Sequence, residues 1–358
     1  MTQKKKLTGH PLYKDDLLRI AQAPFIPWDR LQGASLFISG ATGLIGSCLV
    51  DAIMFRNREN GLQCKLYVLS RNREKAGARF SEWSSTPLLT IVEGDVNESI
   101  SFPEKETCEY VLHLASNTHP VAYATDPIGT IAANIIGTRN MLDLAVRTSA
   151  KRFLFASSNE IYGENRGDRD LFDESYLGYI DCNTLRAGYP ESKRCGEALC
   201  QAYRKQCGLD VVIARLTRSF GPTLLDSDTK ALSQFLRNCL NGEDIVLKSA
   251  GNQFYSYTYA ADAVSGLLTV LLKGGNGEAY NIADTSYDIR LKDLAQMLAQ
   301  AAGTNVVFQL PDKVEAAGFS KATKARLDGS KLEQLGWTVS SSIQDSLART
   351  LRILHDTK

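Results

Sequence analysis

The sequence predicts an α/β protein: a doubly wound parallel sheet with a smaller C-terminal substrate lobe. Three observations lead there. Short runs that are apolar at consecutive positions recur at 36–38, 66–69, 88–92, 110–114, 153–156 and 211–214. Strands covered on both faces read this way, whereas a strand with one wet face alternates. Helix-length patterns lie between most of these runs, at 45–55, 130–147 and 190–206. Strand–helix alternation builds βαβ units with right-handed crossovers. Finally, the first run leads straight into Gly40-Ala-Thr-Gly43-Leu-Ile-Gly46 and then a helix.

The elements follow in order. Residues 1–33 form an N-terminal extension with one short amphipathic helix at 14–21 and an exit through Pro24 and Pro27, read as a strap packed on the core. Residues 34–215 form the α/β unit, with later strands near 255–283 returning to it. Residues 216–358 are mostly the smaller lobe, punctuated by Gly221-Pro222 and Gly274-Gly275-Asn276-Gly277. Its helices are expected at 230–241, 261–272, 291–302 and 341–355. A ligand is expected in the crevice between this lobe and the carboxyl ends of the strands.

Composition excludes several classes. Lys plus Arg number 41 against 40 Asp plus Glu, a net +1, so binding nucleic acid through bulk positive charge is excluded. With 44 % hydrophobic residues there is ample material for a core, which excludes a disordered chain. No apolar run reaches the ~20 residues that span a bilayer, and no apolar stretch follows Lys4–Lys6 as a secretory signal requires. The eight cysteines make no C-x-x-C pair and read as small buried hydrophobes in a reducing, cytoplasmic compartment. The four histidines are scattered, and no metal set can be assembled from them. His113 ends a strand, and His119, in the following loop, is placed to line a small-molecule pocket.

The glycine turn has a specific chemistry. Glycines let the chain turn tightly and approach a pyrophosphate, whose charge the helix N-terminus stabilises. With a strand before and a helix after, it marks a Rossmann-type dinucleotide site. An acid at the end of the second strand would hold a ribose 2′-hydroxyl. Here the chain reads Leu69-Ser70-Arg71-Asn72, and Arg71 suits a 2′-phosphate, a lean toward NADP that leaves NAD open. Asp95 and Val96 close the third strand where an adenine would lie.

Tyr189-Pro-Glu-Ser-Lys193 places a phenol and an ammonium on one helix face. An unperturbed phenol, with pKa ~10, is a poor base at neutral pH. A neighbouring ammonium is expected to lower it, so that the pair can take a proton from a sugar hydroxyl as hydride leaves the same carbon. Ser158, at the end of a strand, completes the relay.

These motifs, with His113-Leu-Ala-Ser116, Asn134-Ile-Ile-Gly137-Thr138 and Ser157-Ser-Asn-Glu-Ile-Tyr-Gly163 in the right order, resemble an extended short-chain dehydrogenase/reductase acting on nucleotide sugars. The resemblance covers roughly 35–355. Within that superfamily the likeness runs to UDP-glucuronate decarboxylases, carried by 179–194, 220–235 and 326–337. It implies Ser158, Glu160, Tyr189 and Lys193 as catalytic residues. It implies a tightly bound NAD or NADP on Gly40, Thr42, Gly43, Leu44, Ile45, Gly46, Ser70, Arg71, Asp95, Val96, Leu114, Ala115, Ser116, Asn134, Tyr189 and Lys193. Asn134 would order the lysine through water. Asn159, Arg186, Arg218, Lys230, Tyr255 and Arg326 would hold the nucleotide sugar. A homodimer would form through a four-helix bundle of the helices around 130–148 and 189–206.

Two departures fall on the substrate side. Tyr255 stands where the family usually has an Arg, and Arg218 where it usually has an Asn. Sugar dehydratases place Asp-Glu where this chain has Asn159-Glu160, and an amide cannot donate a proton as a carboxylic acid does. Decarboxylation needs no such acid and is the leading expectation. A C4 or C5 epimerase and an NADPH-dependent ketosugar reductase are the alternatives. A non-catalytic dinucleotide sensor would not need the Tyr–Lys pair.

Overall fold

A computed structural model describes residues 6–103, 106–118, 120–309 and 323–357. His119, Lys4 and Lys5 lie outside the described residues. Seven parallel strands form the main sheet: β1 (Ser35–Ser39), β2 (Lys65–Ser70), β3 (Leu89–Glu93), β4 (Tyr110–His113), β5 (Arg152–Ser158), β6 (Val211–Leu216) and, much later in the chain, β10 (Ala279–Ile282). Their order is β3-β2-β1-β4-β5-β6-β10. The remaining described strands are short, apart from β9: β7 (Arg218–Phe220), β8 (Ile245–Leu247), β9 (Phe254–Tyr259), β11 (Asp288–Arg290), β12 (Val306–Phe308) and β13 (Lys324–Ala325). Of the segment 255–283 expected to return to the main sheet, only β10 does. β9 pairs with β7, β11 and β13 in a small second sheet, while β8 pairs with β12.

The longer helices are α1 (Pro11–Gln22), α2 (Leu44–Asn60), α3 (Arg73–Arg79), α4 (Pro120–Thr125), α5 (Pro127–Arg147), α6 (Gly188–Cys207), α7 (Ala231–Leu240), α8 (Ala260–Lys273), α9 (Leu291–Ala302) and α10 (Ile343–Thr357). The consecutive apolar runs split between two cores. Leu36, Ile38, Val68 and Leu112 join the side formed by α2 and α8, while Phe37, Val111 and Phe153 join the side formed by α5 and α6. β3 differs: it is one of the sheet's two edge strands and is half-exposed.

Five of the eight cysteines are buried as expected, but Cys182 and Cys207 are exposed and Cys195 is half-buried, since they sit on a loop and on the outer side of α6. Burial pushes the Cys64 and Cys108 thiols up to about 12, which leaves them unreactive. Among the described residues no helix is long and apolar enough to cross a membrane, and no cluster of potential ligands could hold a metal ion.

The N-terminal extension is a strap. Tyr13, Leu17 and Ile20 of α1 are buried against α2, α8 and α10. Two buried acids pin it. Asp51 on α2 accepts from Tyr13 Oη at 2.8 Å and from Trp83 Nε1 at 2.9 Å. Asp16 accepts from Tyr259 Oη at 2.5 Å and from Arg349 Nη2 at 2.7 Å. Asp16→Ala leaves Arg349 bonded to Asp15 and Leu12 O but takes the acceptor from the buried Tyr259 hydroxyl, so it is expected to lower unfolding free energy in urea by about 1 to 3 kcal/mol. A loss below about 1 kcal/mol, the level of a surface pair, contradicts this reading.

Candidate active site

The strand order reverses between β1 and β4, so the loops leaving their carboxyl ends part to opposite sides and open a crevice. Ser39 Oγ lies 2.7 Å from His113 Nδ1 and accepts from Ala115 N at 3.4 Å, tying the two strand ends together at that point. His113 is fully buried, and burial together with the Lys193 charge pushes it down to about 3, so it is a neutral structural residue. The crevice continues between the two sheets as a cleft of about 1130 Å³.

One end of the cleft is the glycine turn. Gly40 has φ +70°, and a Cβ there would lie 2.5 Å from Ala115 N and from Leu114 C. A Cβ on Gly46 would lie 2.3 Å from Gly40 O. Backbone therefore packs on backbone where β1, β4 and α2 meet, and α2 starts just after Gly43 with no side-chain cap. An uncapped helix start facing a cleft suits a diphosphate, so these residues fit a dinucleotide. Gly40, Thr42, Gly43, Leu44, Ile45, Gly46, Ser70, Arg71, Asp95, Val96, Leu114, Ala115 and Ser116 all line this half of the cleft. Arg71 is mostly exposed, 3.9 Å from Asp95.

Asn134 does not line the cleft. Its side chain is buried behind the wall, accepting from Ser116 Oγ at 2.8 Å and donating to Ser192 Oγ at 2.9 Å. Ser192 Oγ in turn donates to Tyr189 O at 2.9 Å. Asn134 thus fastens the first turn of α6 to the loop after β4.

The other half holds Ser158, Asn159, Glu160, Arg186, Tyr189 and Lys193. Tyr189 and Lys193 are 6 % and 2 % exposed. The expected lowering of the phenol is reversed here, and the lysine is not its cause. Lys193 Nζ donates to Ala156 O at 2.7 Å and lies 4.8 Å from the centre of the Phe155 ring. Burial lowers it to about 7, with Glu197 opposing the fall. Burial and the Glu160 charge raise the Tyr189 phenol well above its ordinary value, while a hydrogen bond with Ser158 and the charge of Arg186 pull it down. Desolvation dominates both groups, because each is almost out of water.

Glu160 is bound by Arg186 Nη2 at 2.7 Å. Arg186 also lies over the ring of Tyr123, and Tyr123 stacks on Tyr189 with ring centres 4.9 Å apart. Tyr123 is the site residue that the sequence reading misses; it comes from α4, a short helix with no motif of its own.

On the substrate side, the two departures from the family pattern touch one another. The Arg218 guanidinium stacks on the Tyr255 ring at 3.6 Å, and its Nη1 is buried without a hydrogen-bond partner. Lys230 also lines the cleft, 3.3 Å from Asp228 and 3.4 Å from Thr118 Oγ1. Arg326 does not line it: Asp288 holds its Nε at 2.7 Å and its guanidinium lies over Phe254.

Fold and site together define a dinucleotide-dependent enzyme in which a serine, a tyrosine and a lysine meet at one end of the cleft. The model of the NAD dependent epimerase/dehydratase family matches residues 36–283, and the chain belongs to that family. It is 29 % identical over 313 residues to UDP-glucuronic acid decarboxylase 3 of Arabidopsis thaliana, covering 87 % of this chain and 86 % of the relative. The dTDP-glucose 4,6-dehydratase of Streptomyces venezuelae, with NAD bound, superposes with TM-score 0.74 at 25 % identity, over 89 % of this chain and 96 % of its own. The UDP-glucuronic acid 4-epimerase of Bacillus cereus shares the fold, with TM-score 0.75 at 20 % identity over 89 % of this chain and 98 % of its own.

The glycine turn generates a direct prediction. Gly40→Ala forces a methyl into backbone at a left-handed position. Dinucleotide affinity, read by fluorescence titration, is expected to fall at least about tenfold, or ~1.4 kcal/mol. Unchanged affinity contradicts the assignment of this turn.

Proposed function

We propose that the chain uses NAD(P) to oxidise C4 of a nucleotide-linked hexuronate and then removes its carboxylate as CO₂, in the manner of a UDP-glucuronate decarboxylase. The observation that carries this reading is the meeting of Ser158, Glu160, Tyr189 and Lys193 at the end of a cleft that begins at the glycine turn. The identity to decarboxylases over most of both chains supports the same choice.

When bound, the nicotinamide supplies a reversible hydride acceptor. The residues Gly40 to Gly46 would hold its diphosphate, and Lys193 would bind its ribose. Tyr189 takes the proton from the C4 hydroxyl and returns it at the end, with Ser158 bonded to the same phenol. At rest the buried phenol is protonated; positive charge entering the cleft beside it favours the phenolate and makes it a base. Oxidation at C4 places the carboxylate β to a ketone, so CO₂ leaves to give an enolate, and Glu160 serves the keto sugar's acid–base steps. Asn159 beside it cannot act as the acid that dehydration needs.

Arg218, stacked on Tyr255 and short of a partner, is the ligand for the diphosphate of the substrate, with Lys230 nearby. Arg186 orients Glu160. The absence of an acid at the end of β2, together with Arg71, supports NADP over NAD. Ile128, Ile131 and Ile136 are exposed on α5, and a groove of about 350 Å³ lies between α5 and the start of α6; both support a homodimer through these helices. The cytoplasm fits eight unpaired cysteines.

The test is turnover. Purified protein given UDP-glucuronate is expected to release CO₂ and a UDP-pentose, better with NADP⁺ than with NAD⁺. Tyr189→Phe is expected to slow this by about 10² or more. An epimeric UDP-hexuronate without CO₂ would reassign the reaction to epimerisation, and no product from cofactor-loaded protein would reject the reading.

A further inference from the structure

One buried carboxylate has no part in the scheme above yet joins the elements that carry the catalytic side chains. Glu197 lies on α6, one turn beyond Lys193. Its side chain is 14 % exposed and that of its partner Arg215, on β6, is 10 %. Arg215 Nε and Nη2 donate to its two oxygens at 3.0 and 2.8 Å. Ser157 Oγ, adjacent to Ser158 on β5, donates to the same carboxylate at 2.6 Å. Arg215 Nη1 continues the chain, donating to Tyr162 Oη at 2.9 Å and to Glu174 O at 2.7 Å. Tyr162 ends the helical turn Asn159–Tyr162, which carries Glu160.

We infer that Glu197 is a positioning residue that keeps the Lys193 ammonium charged inside its apolar wall and fixes the seat of Ser158. The inference rests on the reading of Lys193 as a cation at the cofactor. The groups that face this lysine are few. From β5 come the Ala156 carbonyl and the Phe155 ring. From β4 comes His113, which is neutral and brings no competing charge. From α6 come Glu197 and Cys200, whose thiol burial drives so far up that it stays protonated. Glu197 is then the anion that offsets the desolvation of the ammonium. Fixed by Arg215 and Ser157, it cannot swing away, and it holds β5 at the residue before Ser158.

The experiment reads cofactor binding rather than turnover: fluorescence titration of the full chain with NADPH from mildly acid to alkaline pH. Affinity of the unmodified protein is expected to fall on the alkaline side as Lys193 loses its proton. Glu197→Gln is expected to move the midpoint of that fall about one pH unit lower, a tenfold change in proton concentration. Glu197→Asp, which leaves Arg215 a carboxylate and so protects folding, is expected to move it the same way by less. A variant that weakens binding equally at every pH, with its midpoint unmoved, overturns the inference and leaves the Lys193 reading intact. Affinity that does not change with pH and survives Lys193→Met overturns both.

Discussion

A parallel sheet buried on both faces leaves its strand ends as the open surface, and in this chain the ends part at one place. β1 and β4 lie side by side but send their loops in opposite directions. The close approach of Gly40 to the Leu114–Ala115 backbone, and of Gly46 to Gly40, sets how near α2 can come to that gap. Side chains at either glycine would push the helix start away from the point where its N–H groups face the cleft. The small sheet lines the cleft through β7 and β9, and the ends of β5 and α6 complete its far wall.

Electrostatics at that wall follow burial before they follow pairing. Burial lowers Lys193 from its ordinary value to about 7. An ammonium in that state cannot by itself make a neighbouring phenol acidic, and the phenol beside Glu160 is raised instead. Tyr189 is thus a protonated phenol at rest, and burial rather than its spacing from Lys193 decides that. Polar networks behind the wall hold the geometry meanwhile: Asn134 with Ser116 and Ser192, and Glu197 with Arg215 and Ser157.

Much of this was legible in the residues. Consecutive apolar runs marked β1, β2, β4, β5 and β6, because burial on both faces removes the polar alternation. The glycine spacing and Tyr189–Lys193 marked both ends of the cleft. What pattern alone missed depends on tertiary environment. The half-exposed β3 reads like its buried neighbours, because its place at the edge is set by strand order. Arg326 carries a family-like motif, yet Asp288 and Phe254 occupy it. Tyr123 has no local signal at all, and the sign of the phenol's shift depends on burial that no spacing reveals. The Arg218 and Tyr255 departures read as two separate changes in the sequence and prove to be one stacked pair.

The central claim is that hydride leaves and returns to a single sugar carbon beside Tyr189. UDP-glucuronate carrying deuterium at C4 measures this directly. The account predicts slower turnover than with the unlabelled sugar and a product that keeps its deuterium at C4. Equal rates with deuterium lost to solvent would contradict it.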